Sequence, residues 1–308
     1  MNIIKHRYLY FAISLLVIVP GIIALIVWGL PLSIDFTGGS VLEVTFGSGT
    51  APQPAQVFDM LTKDGIADSQ VQSSGTDGLI IHSSEMSDET KNQVVSELAT
   101  MSNTTVTISS FESVGPVIGQ EVTQRALLAI AMAALAIIVY ITFAFRGVQH
   151  AFRYGAAAIL AMIHDVLVVV GMEALIGHFV GWEADSMFLT AVLTVIGFSV
   201  HDTIVVFDRI RENSSIYRRL TFTEVVNHST VQTLARSINT QLTVMLCLLA
   251  MSLFGGVTIR HFTTILLIGV FSGTYSSIFN ASPILVVWEN HEWRHWFHPA
   301  DWKELTAK

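Results

Sequence analysis

Two His-Asp pairs, His164-Asp165 and His201-Asp202, fall inside otherwise strongly apolar stretches, and Arg236 opens a third stretch. Imidazole and carboxylate take up and release protons, while a guanidinium holds a carboxylate in its charged form, so proton transfer or ion pairing is the chemistry these types support. Spacing groups them further. Ser199 and Asp202 are i,i+3; Gly197 and His201 are i,i+4, a stripe expected to bring a neighbouring helix close at the glycine. Arg236, Asn239, Thr240 and Thr243 form a polar stripe on the next stretch. At ~1.5 Å per residue, Asp202 lies roughly 8 Å in from Phe207, where its stretch ends, within reach of an Arg236 that tilts inward. Static polar contacts holding helices together use the same residues, and spacing alone does not separate the two roles. Glu173 stands close enough to the end of its stretch to reach water.

The elements that position these groups follow from composition. Of 308 residues, 52% are apolar and 13% charged, and mean hydropathy is +0.58. That excludes a water-soluble globular protein, which carries roughly 25% charged residues. Six stretches are long enough to cross ~30 Å of hydrocarbon: 11–30, 126–145, 154–176, 186–207, 237–259 and 262–288. The first is read as a retained anchor, because its apolar run exceeds that of a secretory signal. The lone cysteine, Cys247, permits no disulfide within the chain, and no CxxC, HExxH or GxxxxGK[ST] motif occurs. These patterns argue for no metal, nucleotide or other cofactor, and the titratable groups on facing stretches make protons the expected coupling ion.

Basic residues set the orientation. Lys5 and Arg7, Arg146 and Arg153, the group from Arg209 to Arg236, and Arg294 with Lys303 and Lys308 all fall on one side of a six-span chain. By the positive-inside rule both termini are cytoplasmic. The opposite side receives residues 35–115. Residues 31–121 hold twelve acidic residues against Lys63 and Lys91, so the chain offers no basic field for nucleic acid. The organisation expected is an N-terminus and first span (1–34), an acidic outside domain (35–115), spans two to six (116–288) with a cytoplasmic connector (208–235), and a cytoplasmic tail (289–308).

The outside domain reads as β-α-β-β-α-β, the split βαβ, ferredoxin-like order: strands at 40–46, 67–72, 79–82 and 104–108, and helices at 54–63 and 88–101. Ser87 is placed to cap the second helix. In the connector, Thr221 and Glu224 have capping-box spacing ahead of a short amphipathic helix. The fold class is thus a polytopic α-helical membrane protein with one extracytoplasmic α+β domain.

Several blocks resemble the SecF family of the bacterial SecD–SecF protein-export complex. Asp35-Phe36-Thr37-Gly38-Gly39 follows the first span, and Val114-Gly115-Pro116-Val117-Ile118-Gly119 precedes the second. His164-Asp165, the run from Ile196 to Asn213, the block from Gln232 through Thr240, and Phe254-Gly255-Gly256 complete a likeness over essentially the whole chain. The resemblance implies half of a resistance–nodulation–division type transporter, paired with a SecD-like subunit. It also implies use of the proton motive force to assist unfolded polypeptides leaving a SecYEG channel in the bacterial inner membrane, with YajC- and YidC-type proteins as further partners. In the family, the acid aligned with Asp202 and the arginine aligned with Arg236 are linked to proton conduction. The residue before that acid is commonly Asn, whereas here it is His201. Supporting polar roles fall to His164, Asp165, Ser199, Asn239 and Thr240, and structural roles to Asp35, Gly38, Gly39, Gly115, Pro116, Gly197, Gly255 and Gly256.

The resemblance to the wider transporter architecture leaves other classes open. A proton-coupled small-molecule transporter half and a non-catalytic membrane scaffold share the architecture. An intramembrane aspartyl protease would use Asp165 and Asp202 as its dyad, but no GxGD-like sequence accompanies them. The expectation is therefore an export subunit without hydrolytic activity.

Overall fold

The computed structural model describes residues 2–47, 49–66, 68–147 and 150–292, so Ala67 and the tail 293–308 lie outside the described residues. The chain divides into two units, residues 32–128 and the remainder.

The smaller unit contains α2 (Ile34–Thr37), β1 (Gly39–Phe46), α3 (Pro54–Lys63), β2 (Gln70–Ser74), β3 (Gly78–Ser83), α4 (Asp88–Ser102) and β4 (Val106–Val114). The β-α-β-β-α-β order is as the periodicity indicates, and the antiparallel sheet runs β2-β3-β1-β4. Alternation along β1 turns Leu42, Val44 and Phe46 inward, where they pack with Leu79, Ile81, Val57, Leu61, Val94 and Leu98. Ser87 accepts a hydrogen bond from the Thr90 N–H at 3.2 Å and so caps α4. β4 starts later and runs longer than expected, because 110–114 pairs with the first half of β1 beyond a bulge at Glu43/Val44.

The two glycine motifs meet in this unit. Gly38 (φ +73°) and Gly39 (φ +123°) both occupy backbone conformations that L side chains rarely adopt. A Cβ on Gly38 would lie 2.6 Å from the Pro116 Cα, and one on Gly119 would lie 2.7 Å from the Gly38 N. The Thr123 hydroxyl adds a hydrogen bond to the Phe36 carbonyl at 3.1 Å. Gly38 to Gly39 is therefore a packed joint between α2, β1 and the start of the helix that opens at Pro116. Gly115 directly precedes that helix, with only ordinary contact to Glu85.

Among the described residues, six helical stretches are long and apolar enough to cross a membrane. They are α1 (Arg7–Val27), α5 (Pro116–Ala144), α6 (Ala151–Val180), α7 (Ser186–Ile216), α8 (Phe222–Phe254), and α9 (Val257–Ser276) continued by a π turn (Ser277–Ala281) and α10 (Ser282–Glu289). Pro283 accounts for the π turn: it supplies no N–H to the preceding turn, which widens locally. Glycine sets the closest α1–α6 approach, where a Cβ on Gly21 would lie 2.8 Å from the Gly171 Cα.

The stretch 208–235 differs from a connector. α7 runs on to Ile216, and α8 begins at Phe222 behind the Thr221–Glu224 capping box, leaving 217–221 as the turn. Span and surface helix are one α8, because no helix breaker stands between Phe222 and Phe254. Gly255 and Gly256 then end α8 and start α9, so the fifth helix stops short of Ile259. Gly197 also departs from expectation. Nothing lies within 4 Å of a Cβ placed there, and the close α7–α9 contacts use Gly269 against Val195 and Gly273 against Ser199 instead.

Candidate functional site

α6 is helical across its polar residues because apolar side chains surround them on every turn, which places Asp165 at mid-helix with no exposed surface. Four groups converge on it. The Ser199 hydroxyl on α7 donates to Oδ2 at 2.5 Å. From α9, Ser272 donates to Oδ1 at 2.7 Å and Ser276 to Oδ2 at 2.6 Å. His164 Nδ1 lies 3.0 Å from Oδ1. The two carboxylate oxygens thus gather donors from three helices, which answers the cost of burying a charge in hydrocarbon. Ser272 and Ser276 were not singled out from sequence. The signal was their i,i+4 spacing beside Gly269 and Gly273, which lets α9 approach α7 closely.

Asp202 occupies the next turn of α7 beyond Ser199, and only 3% of it is exposed. Its surroundings differ from those of Asp165. Gln241 and Ser237 on α8 are polar neighbours of its carboxyl. Its Oδ2, the Ser237 hydroxyl and the Gln241 Oε1 are buried without a protein hydrogen-bond partner. Arg236 is exposed and makes no direct ion pair with Asp202 among the described residues. The expected contact is replaced by neutral side chains because Ser237 and Gln241, one helical turn apart, occupy the α8 face turned toward α7.

His201, Arg236, Asn239 and Thr240 all lie on exposed surface, as does Gly197. The sequence-predicted residues therefore separate into three groups. Asp165, His164 and Ser199 meet inside the bundle; Asp202 lies buried at the α7–α8 seam; and the others form a polar strip on the outer face of α7 and α8. A buried pair of Glu173 and His261 lies elsewhere in the bundle, with His261 Nε2 2.9 and 3.0 Å from the two carboxylate oxygens. Glu173 has no exposed surface, a correction to its expected contact with water: His261, at the start of α9, closes over it.

Carboxylates held at the helix seams of a six-span bundle, in a chain that also carries one βαββαβ domain, define a polytopic membrane protein with a polar interior. The profile of the family described as "Protein export membrane protein SecD/SecF, C-terminal" matches residues 93–291, and that of the "SecD/SecF GG Motif" matches residues 23–49. The chain belongs to the SecD/SecF family. It is 58% identical to "Protein translocase subunit SecF" of Anaerolinea thermophila, with 96% of this chain and 97% of the relative covered. The SecF subunit of Thermobaculum terrenum is 47% identical, with 95% of each chain covered. A crystal structure of SecDF from Thermus thermophilus, described as a translocon-associated membrane protein, superposes with a TM-score of 0.80 at 32% identity, covering 94% of this chain. This chain spans 39% of that longer one. Near full-length likeness to SecF subunits makes it an accessory subunit of the Sec protein translocase.

Proposed function

We propose that this subunit works with a SecD-like partner in the cytoplasmic membrane, using the proton motive force to promote polypeptide export. Its sheet domain lies outside, and Asp202 is the proton-carrying acid. The observation that carries this reading is the buried Asp202 carboxyl with one oxygen unpartnered, beside neutral Ser237 and Gln241. Such a group gains or loses charge without first breaking a direct ion pair. Asp165 differs, because both of its oxygens already have partners on α6, α7 and α9.

The SecD-like partner is supported by the Thermus thermophilus SecDF, in which a matching region forms part of a longer chain. The outer face of α7 and α8 favours the same reading. His201, Arg236, Asn239 and Thr240 would face hydrocarbon in the isolated chain, and polar groups at that depth are costly unless another protein covers them. A proton crossing the membrane gains ~2.3 kcal/mol per 100 mV, enough to bias a two-state helix packing. SecYEG and an emerging unfolded polypeptide are the remaining participants, with YajC- and YidC-type proteins as accessories. No hydrolytic step is assigned to this chain.

The test is export through a SecYEG channel in vesicles holding this chain with its SecD-like partner, with and without an imposed proton gradient. Gradient-dependent export that requires Asp202 supports the reading. Equal export with and without the gradient leaves a scaffold role.

A further inference from the structure

Glu173 and His261 play no part in the Asp202 proposal, yet theirs is a fully enclosed carboxylate with an imidazole across both of its oxygens. The pair lies on the seam between α6 and α9. Asp165 is eight residues before Glu173 on α6, and Ser272 is eleven residues after His261 on α9, separations of ~12 and ~16 Å along the helices. Between the two centres the seam is closed by Val168, Val169, Ile265 and Leu266. The same two helices therefore hold two titratable centres with an apolar layer between them. Trp182 and Phe188 shield the upper one: their ring centroids lie 4.8 and 6.5 Å from that of His261, and the Phe188 ring is tilted only 9° from it.

We propose that Glu173 and His261 form a second proton-binding site, at the end of the seam next to the α6–α7 loop. The inference rests on the proton-coupling reading above and deepens it by giving protons a point of uptake on the side opposite the basic loops. With Glu173 ionised, His261 keeps one proton on Nε2, which donates to the carboxylate. A second proton, taken from water on that side, adds to Nδ1 and makes an imidazolium facing a carboxylate, with no net charge. Release of the Nδ1 proton to water leaves one buried negative charge. Gain and loss of a proton thus change the charge of an enclosed centre, as loading of a coupling ion requires.

Other charged or titratable groups near this level are few. α6 adds His178, which stacks on Trp28 of α1 at 3.9 Å. The loop before α7 adds Glu183 and Asp185, the latter accepting from the Phe188 N–H as a helix cap. α9 adds Arg260 on its exposed side, and α8 adds nothing between Cys247 and its end at Phe254. α7 brings no charged side chain between Ser186 and Val200.

The experiment uses the full chain with its SecD-like partner in vesicles on a solid support, oriented with the sheet domain facing the bath. A jump in bath pH is applied and the charge displaced within the protein is recorded. The expected result is a transient present in the wild type and in Asp202→Asn, reduced at least ~5-fold in Glu173→Gln and His261→Gln, and partly restored in Glu173→Asp. Glu173→Gln keeps an oxygen that can accept from His261, so a pair serving only as a clamp on α9 would leave the transient intact. That result overturns the proposal, as does loss of the transient in Asp202→Asn alone. An absent transient in the wild type overturns it too, even where export depends on the gradient, so its failure is distinct from failure of the Asp202 reading. Co-purification of each variant with the partner separates loss of assembly from loss of proton binding.

Discussion

Ser199 donates to Asp165 Oδ2 at 2.5 Å from the helical turn of α7 that carries Asp202 three residues later. One rigid segment therefore touches a saturated carboxylate on one side and bears an incompletely partnered one on the next turn. Rotation of α7 at Asp202 therefore also moves the Ser199 hydroxyl against Asp165. Ser199 makes the two acids mechanically interdependent even though they share no ligand.

Asp202→Asn should assemble with the partner yet lose gradient-stimulated export by ~10-fold or more, because an amide is nearly isosteric with the carboxyl but carries no exchangeable charge. Asp202→Glu should retain part of the activity, since it still titrates one methylene further out. Normal gradient-stimulated export by a well-assembled Asp202→Asn would leave Asp202 as structural polarity.

His201→Asn should retain export, since His201 points away from the bundle interior and Asn keeps a polar side chain there. Arg236→Lys keeps the positive charge but loses the planar guanidinium. As Arg236 makes no direct ion pair with Asp202, impairment here should appear as weaker association with the SecD-like partner, read by co-purification.

Ser272→Ala and Ser276→Ala each remove one hydroxyl from a fully buried carboxylate. Each should lower stability by about 1–3 kcal/mol, and the two should not add, because both act on Asp165. Thermal unfolding in detergent measures this. Unchanged melting in both variants would mean that the Asp165 cluster contributes little to holding α9.

Gly38→Ala and Gly119→Ala should each destabilise the joint before α5, because a methyl group would enter backbone-contact distance of Pro116 or Gly38. Gly197→Ala is the control, with open space and helical backbone at that position. Protease resistance of the sheet domain in the intact chain should fall for the first two and hold for the third.

The sheet domain also has a pH signature. A hydrogen bond with Glu97 holds the Asp64 carboxyl above its usual range, and the same bond holds Glu97 below its own. The Asp64 contribution is fully present below its unfolded value and disappears as pH rises through its folded one. The Glu97 contribution is present above its unfolded value and is lost as pH falls through its folded one. Stability from the pair therefore peaks in mild acid, where one proton is shared, and two ionised carboxylates repel at neutral pH. Asp64→Asn should flatten the melting-temperature profile between acid and neutral pH; a profile identical to wild type would show that the pair has no weight.

Orientation is tested by reporter fusions. Fusions after Gly75 and Trp182 should report the outside, and those after His150 and Arg218 the cytoplasm. An external signal after Arg218 would contradict the proposed orientation.

Much of this architecture was legible in the sequence because both periodicities are strong. Apolar runs of membrane length announce helices, and alternation at Leu42, Val44 and Phe46 announces the central strand. The acids at 165 and 202 were visible because a charge among apolar residues is conspicuous. Their partners were not, since Ser272 and Ser276 look like ordinary small polar residues until the fold brings α9 against α6. Glu173 and His261 are 88 residues apart, and no local pattern links them. Nor could spacing tell that Ser237 and Gln241, rather than Arg236, would face Asp202, because neighbouring positions on α8 differ only by rotation about the helix axis.

The length of α8 has a further consequence. Its 33 residues extend ~50 Å, against ~30 Å of hydrocarbon, and no break separates the part beside Asp202 from the part that begins at Phe222. A helix that overshoots the bilayer in one piece is a lever. If it pivots where Gln241 meets α7, a tilt of about ten degrees swings its far end, ~28 Å away, through ~5 Å. A change of a single charge at the seam thus needs no relay of side chains to be felt at the Phe222 end of α8, because the helix delivers it as displacement.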